Sequence, residues 1–392
     1  VNTPQGIKKA VSMNGASQTL AKGEPEVLTI ARSIIIPDNG SMDFKILESS
    51  FLEFPNIEIV PSKGNLYRDV DPSTVPFEWG RTYQEDGVFP ASPVMLSDPY
   101  ILRDYRGMAI RVFPVQYNDA NQSIKVYKKI VVKISHNPNT AGVNEFNRTK
   151  SMQTVDEQFD ALYNGQFLNY NSIKYTAIAE RGNMLIIADP SFASSMAPFV
   201  QCKNRIGFPT EIVTTSTTGT SNTAIKSYVT NYYNTNGLTH LLFVGDGNHI
   251  PVITSGMGGP SDNAYAYITG NDHYPEFYVG RFSVESTADV DVMVERSITY
   301  ELDPYTGSDW LNRNLGIASD QGPGDDNEYD YQHIRNIQAD LIGYEYTTSY
   351  ELFDGSQGGL DASGDPSAAN VSTVLNGTGV GIINYIGHRS DR

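Results

Sequence analysis

The chain has 392 residues, 28 Lys and Arg against 45 Asp and Glu, a formal net charge of −17, 39% hydrophobic residues and one cysteine. That length supports two or three domains with real cores, while a lone cysteine excludes an intrachain disulfide framework, a multi-cysteine zinc site and an iron–sulfur cluster. No run of 18 apolar residues is present to span a membrane, and the polar start Val1 to Gly6 shows no charged segment followed by an apolar run, so any export signal is expected to be already removed or never present.

Residues 1–174 carry 18 basic and 19 acidic side chains, a net −1, whereas residues 175–392 carry 10 and 26, a net −16. A field that negative repels nucleic acid phosphates and anionic lipid and suits cationic substrates or divalent cations, although plain solubility also accounts for it.

From Glu26 to His136 the pattern is one of strands. Val27, Ile30, Ile34 and Ile36 form a β-branched run closed by the turn Pro37-Asp38-Asn39-Gly40. Phe44 to Leu47, Phe51 to Phe54, Ile57 to Val60, Met108 to Tyr117 and Ile124 to Ile134 follow, the last two paired across the Asn- and Asp-rich loop 118–123. With no helix expected among them, residues 1–136 are predicted to form an all-β domain, a sandwich or barrel. Residues 137–174 turn polar and Asn-rich. They are predicted to be a linker, with one short amphipathic helix through Met152, Val155, Phe159 and Leu162, and with Arg148, Lys150 and Lys174 exposed as cleavage sites.

After Tyr175 the period changes. Met184 to Ala188, Thr210 to Thr214, Leu241 to Val244, Leu315 to Ala318 and Gly381 to Ile386 read as buried strands. Between them, helical spacing appears over 191–206, through Ile225, Tyr228, Val229 and Tyr232, through Val290, Met293, Val294 and Ile298, through Ile334, Ile337 and Leu341, and near 368–375. Apolar strands alternating with amphipathic helices predict an α/β sheet, mostly parallel and flanked by helices. Two subdomains are expected, residues 175–307 and 308–392. Functional residues of such sheets cluster beyond the carboxyl ends of strands.

Three strand ends carry chemistry-bearing residues: Gly245-Asp246, Ser319-Asp320-Gln321 and Gly387-His388-Arg389-Ser390. A histidine directly after a buried strand is placed for proton transfer. The segment Asp320 to Asp330 holds Asp320, Asp325, Asp326, Glu328 and Asp330 around Gly322-Pro323-Gly324. Its carboxylates repel unless solvated or neutralised by a cation, and their spacing is not that of an EF-hand. Asn271 to Glu276 is a second oxygen-rich turn, and with Asp246 it could supply hard ligands to calcium. Cys202 falls mid-helix beside Lys203 and far in sequence from any histidine, so it reads as a small buried hydrophobe.

At Gly379-Val380-Gly381-Ile382-Ile383-Asn384-Tyr385-Ile386-Gly387-His388 the sequence resembles the gingipain-type cysteine peptidases, relatives of caspases and legumain. Asn271-Asp272-His273-Tyr274, Gly280-Arg281-Phe282-Ser283, Leu242 to Asp246 and the start at Tyr175-Thr176 extend the match. Leu96 to Tyr100 and Val112 to Asn118 resemble the family's β-rich propeptide, so nearly the whole chain is covered.

The resemblance implies a caspase-like catalytic domain behind an inhibitory propeptide, and a secreted or surface-located bacterial thiol protease made as a zymogen. It implies that His388 is the histidine of a Cys/His dyad and that Asp330 lies at the base of the pocket for a basic P1 side chain, arginine favoured. It further implies structural calcium, held by Asp246, the Thr269 carbonyl, Asp272, the Tyr274 carbonyl and Glu276 at one site, with Glu328 and His333 at a second. The family's nucleophilic cysteine follows the next strand, some residues past the end of this chain, and Cys202 falls at a non-catalytic helix position.

Two positions depart from the family: Gln321 where arginine-specific members have glutamate, and Arg389 where the family has glycine. These departures and the missing cysteine leave a rival reading, a non-catalytic pseudopeptidase or calcium-stabilised surface binding module. The expected partners are substrates with a basic P1 residue, the chain's own propeptide as inhibitor, and a C-terminal remainder as a second chain, since an end at Arg392 is what an Arg-cleaving enzyme leaves. A propeptide arginine such as Arg81, Arg103 or Arg106 could fill the pocket, and the sequence does not choose among them.

Overall fold

In the computed structural model the described residues are 1–68, 70–85, 87–148, 154–173, 175–254, 259–302, 309–324 and 328–387. His388 to Arg392, Lys150, Lys174, Asp325 and Asp326 lie outside them.

The first domain is built by antiparallel pairing. Ser41–Pro55 runs against Ser123–Asn137, from Ser41 opposite Asn137 to Pro55 opposite Ser123. The runs at Phe44 and Phe51, expected as separate strands, are one strand here. Register shifts between Tyr127 and Lys129 and between Val131 and Val132 let the ribbon bend without ending. Met108–Tyr117 behaves oppositely and divides into Tyr105–Val112 and Val115–Asn118, because Pro114 cannot donate to a ladder. Leu28–Ile35 pairs with Tyr105–Val112, which also carries Val94–Leu96 and Tyr100–Leu102. The domain is not free of helix, since Arg81–Gln84 forms one short turn of it.

Residues 154–173 pack into this domain. Asp156 caps the Glu157–Gln166 helix by accepting the Phe159 N–H at 3.1 Å. The helix buries Phe159 and Tyr163 in a cluster with Tyr100, Leu102 and Tyr105. Asn169 then binds both the N–H and the C=O of Ile35, each at 2.8 Å. Of the four residues expected on one helical face, Phe159 and Leu162 lie on this helix and meet the strands, Val155 lies before it on the strand Thr154–Asp156, and Met152 is outside the described residues.

In the second domain Met184–Ala188, buried throughout, runs parallel to Thr210–Thr214 on one side and His240–Val244 on the other, with Tyr278–Phe282 beyond. Side chains alternate between faces. Met184, Ile186 and Ala188 meet Met196, Phe199, Val290 and Val294, while Leu185 and Ile187 meet Ile225, Val229 and Phe243. A second parallel sheet has Arg313–Ala318 between Thr348–Phe353 and Ile382–Ile386. Burial on both faces explains why the central strands read as continuous apolar runs. Ser319 and Gly387 emerge at neighbouring carboxyl ends of this sheet, the Ser319 N–H donating to the Ile386 carbonyl at 3.0 Å.

Candidate active site and the segment that fills it

The loop after Arg313–Ala318 folds so that a carboxylate returns to the strand end. Gly322 has φ +134°, and a Cβ there would lie 2.7 Å from both the Glu328 carbonyl oxygen and the Tyr329 Cα. Only glycine permits that approach. The Asp330 N–H donates to the Gln321 carbonyl at 2.8 Å, fixing the first residue of the Asp330–Gly343 helix under Ser319. The Ser319 hydroxyl donates to Asp330 Oδ2, and Asp330 is only 2% exposed. A buried carboxylate needs a cation or several donors.

The cation comes from 262 residues away in sequence: Arg68 Nε donates to Asp330 Oδ1 at 3.0 Å. Arg68 belongs to a loop held at both ends. Ser62 exchanges backbone hydrogen bonds with Gly23 and Glu24, the Val70 N–H closes a turn on the Tyr67 carbonyl at 3.0 Å, and Asp71 caps the Pro72–Thr74 turn. A Cβ at Gly324, φ +55°, would lie 3.3 Å from Arg68 Cδ, so this loop and the arginine stem are in close contact.

The arginines named from sequence do other work. Arg81 pairs with Glu85 on the surface at 2.6 Å. Arg106, wholly buried, donates to the carbonyls of Pro37, Gly40, Val143 and Asn144 and so fastens the 142–148 segment to the Pro37–Gly40 turn. Arg103 crosses to the second domain, donating to the carbonyls of Leu238 and Glu276. The partner of Asp330 is therefore Arg68, which carries no periodicity signal. The only sequence clue is a single arginine in the turn-rich stretch Gly64 to Pro72. Arg148, expected as an exposed cleavage site, is instead paired with both oxygens of Asp38 and lies over the Phe146 ring at 4.5 Å.

His388 lies outside the described residues. Its predecessor Gly387 ends the Ile382–Ile386 strand, and a Cβ at Gly387 would lie 3.8 Å from the Ser319 Cβ. Cys202 is buried on the Ala197–Arg205 helix, in the layer that covers the first sheet. Gln321 Oε1 is buried without a partner among the described residues.

Among the residues expected to bind calcium, Glu276 is fully buried. Its Oε2 accepts the Ile268 N–H at 2.6 Å, and its Oε1 is buried with no hydrogen-bond partner among the described residues. Burial pushes this carboxyl up to about 7 against the opposing backbone N–H groups of Ile268 and Thr269, and the nearby Asp272 adds to the rise. Asp272 Oδ1 accepts the Tyr274 N–H at 3.0 Å. An orphaned carboxylate oxygen beside a second carboxylate fits a hard cation. Asp246 is engaged in its own turn, accepting from Asn248 and from the backbone and Nδ1 of His249. No group of three or more His, Cys, Asp or Glu side chains placed to hold a metal occurs among the described residues. Glu328 and His333 do meet, Oε2 to Nδ1 at 3.0 Å, on the edge of the Asp330 helix. No helix among the described residues is long and apolar enough to cross a membrane.

Gingipain R2 of Porphyromonas gingivalis is 34% identical over 400 residues, covering all of this chain and 52% of that protein. Lys-gingipain HG66 of the same organism is 24% identical over 418 residues, covering all of this chain and 23% of the relative. The chain thus spans about half the length, or less, of these curated relatives. Among solved structures, the Arg-specific cysteine proteinase gingipain R matches at 34% identity and a TM-score of 0.48, over 54% of this chain and 48% of that one. A complex of Porphyromonas gingivalis RgpB pro- and mature domains matches at 31% and 0.40, over 44% of this chain and 85% of that one. The family model Propeptide_C25 matches residues 1–178 and that of Peptidase family C25 matches residues 178–392, so the chain belongs to Peptidase family C25 and carries that family's propeptide.

Proposed function

We propose that the protein is an exported cysteine endopeptidase zymogen that cleaves after arginine and is kept latent by its first domain. The observation that carries this reading is the Arg68 guanidinium on the buried Asp330 carboxylate. A pocket lined by Ser319, Gly324 and Asp330 that accepts a guanidinium from the chain itself is chemically suited to a substrate arginine, and while Arg68 is seated a substrate cannot enter. The planar guanidinium can offer paired donors to a carboxylate where an ammonium cannot, which favours arginine over lysine.

In the proposed reaction a cysteine thiolate attacks the carbonyl carbon of the residue seated on Asp330, and His388 as imidazolium donates its proton to the departing amine as the C–N bond breaks. Water then adds to the thioester, giving a proton to His388, and the C–S bond breaks to release the carboxylic acid and restore the thiolate–imidazolium pair. The cysteine would come from the region beyond residue 392 in the longer relatives, since Cys202 is buried in a helix. Bound calcium would be held by Asp272, Glu276 and the Thr269 and Tyr274 carbonyls, and a second ion by Glu328 and His333; Asp246, beyond the carboxyl end of His240–Val244 while Glu276 precedes the amino end of the neighbouring parallel strand, would not join the first set. The first ion would supply positive charge to the orphaned Glu276 oxygen and cross-link the 269–276 loop.

The test uses the full-length gene product after activation. Asp330→Asn should lower kcat/KM for an Arg-amide peptide at least 100-fold while changing a Lys-amide peptide less, and His388→Ala should abolish both. Equal Arg and Lys losses in Asp330→Asn would defeat the specificity assignment.

A further inference from the structure

The first domain touches the second at a place far from Asp330 in the fold. Arg103 and Asp104 form the two-residue tip between Tyr100–Leu102 and Tyr105–Val112. Arg103 has φ +48°, a left-handed conformation that hairpin tips normally give to Asn or Gly. An arginine held there at a conformational cost points to a role for its side chain. That side chain is 13% exposed, lies over the Phe159 ring at 4.3 Å, and donates to the Leu238 carbonyl and, at 2.7 Å, to the Glu276 carbonyl.

Asn144 provides a second bridge. Its Nδ2 donates to Asp272 Oδ2 at 2.6 Å and its Oδ1 accepts the Asn271 N–H at 2.9 Å. Gly270, at φ +80°, admits it, since a Cβ there would lie 2.6 Å from Asn144 Oδ1. Between these bridges the Ile101 N–H donates to Asp272 Oδ2 at 2.8 Å, and Tyr100 stacks on Tyr274 at 4.0 Å. Leu238 and Glu276 each lie two residues before the strands His240–Val244 and Tyr278–Phe282. The Arg103 contacts thus lie at the amino ends of the first sheet, away from the carboxyl ends where α/β sheets carry their sites. Arg68 acts at the carboxyl end of the other sheet.

We propose that the Arg103 hairpin tip and Asn144 form an anchoring surface, separate from the Arg68 plug, that holds the propeptide on the 238 and 269–276 loops after the chain is cut. The inference deepens the latency reading and rests on it for the role of the first domain. Two consequences follow. Plugging and retention are separable, and a propeptide whose Arg68 has left the pocket remains bound.

The test uses the full chain with a site-specific protease sequence placed at the 174–175 junction, cut once, with fragment association followed by native mass spectrometry on dilution. Access to the Asp330 pocket is followed separately in the uncut chain with benzamidine as a guanidinium-like probe. Arg68→Ala should admit benzamidine yet leave the fragments associated within about threefold of wild type. Arg103→Gln should weaken association at least tenfold, as loss of two charge-assisted hydrogen bonds implies, while the uncut chain still excludes benzamidine. Arg103 also balances the buried Asp104, so Asn144→Gly, which suits the φ of +51° at Asn144 and removes the bridge together with a 3.3 Å Nδ2 contact to the Pro99 carbonyl, is the second variant and should also weaken association about tenfold. Fragments held as tightly as wild type in Asn144→Gly, and in Arg103→Gln where it folds, would overturn the anchor. Failure of Arg68→Ala to admit benzamidine would overturn the plug and leave the anchor standing.

Discussion

Removing the Arg68 guanidinium is the sharpest perturbation available, because its partner is buried and shares few donors. Asp330 is 2% exposed and, among the described residues, keeps only the Ser319 hydroxyl and its own helix N-terminus when Arg68 is truncated. Breaking a buried ion pair by deleting one member costs about 3–5 kcal/mol. The Arg68 side chain is 26% exposed, so water reaches part of the vacated space and screening lowers that to roughly 2–3 kcal/mol. If this energy holds the plug in place, Arg68→Ala raises the fraction of open pockets by about 30- to 150-fold. Titration calorimetry of benzamidine against the uncut chain should then show an apparent Kd lower by that factor than wild type. Arg68→Lys keeps a charge but loses the planar donors, and should fall between the two. Asp330→Asn is the control that should abolish probe binding in every background. Equal benzamidine affinity for wild type and Arg68→Ala would refute the reasoning, because it would mean that Arg68 does not compete for the carboxylate.

Three further outcomes are expected. His240 is half-buried between the Phe208 and Tyr278 rings with Lys203 and Arg103 nearby, and burial first, then those charges, push its imidazole down to about 4. The folded state therefore binds fewer protons than the unfolded state between about pH 4 and 6.5, so stability is full above the higher value and is lost as pH falls, by roughly 2 kcal/mol after allowance for solvent. Urea melts should show this slope flattened in His240→Phe. Gly316→Ala should destabilise by about 1–3 kcal/mol, since its Cβ would lie 2.3 Å from Ile334 Cγ2 in the core between the second sheet and the Asp330 helix, and a melting temperature equal to wild type would show that this packing yields freely. For calcium the sign is informative: with an ion bound, chelation and Glu276→Gln should both lower the melting temperature, whereas without one chelation does nothing and Glu276→Gln, relieving a buried orphan carboxylate, is neutral or stabilising.

What the sequence disclosed follows from which signals are local. Met184–Ala188 and His240–Val244 are buried on both faces and stand out as apolar runs. Tyr278–Phe282 and Thr348–Phe353 did not, because Gly280 and Arg281 interrupt one and Glu351 the other. Glu351 is buried against Arg335, at 2.7 Å, and Arg281 bridges Asp262 and the Gly245 and Ile250 carbonyls. Both strands are apolar only after their charges are paired, and pairing is a tertiary fact. Asp330 stood out through resemblance to a motif. Arg68 could not, because its meaning resides in a contact across 262 residues, and the arginines near strands were the visible alternatives.

The geometry around Arg68 also bears on how a pocket for arginine can be filled by arginine without the chain being consumed. Peptides that bind protein clefts as substrates commonly do so extended, with main-chain donors and acceptors free to pair with an edge. Arg68 is presented from a turn instead, the Val70 N–H bonded to the Tyr67 carbonyl, with Asp71 capping the next turn and Lys63 donating to the Pro72 carbonyl across the loop. The side chain pairs with the Asp330 carboxylate while the Tyr67 carbonyl and the Val70 N–H on either side of it are committed to each other. Lengthening this loop would keep the guanidinium in reach of Asp330 but release the backbone, so on the proposed reading it should convert the plug from an inhibitor into a site of self-cleavage.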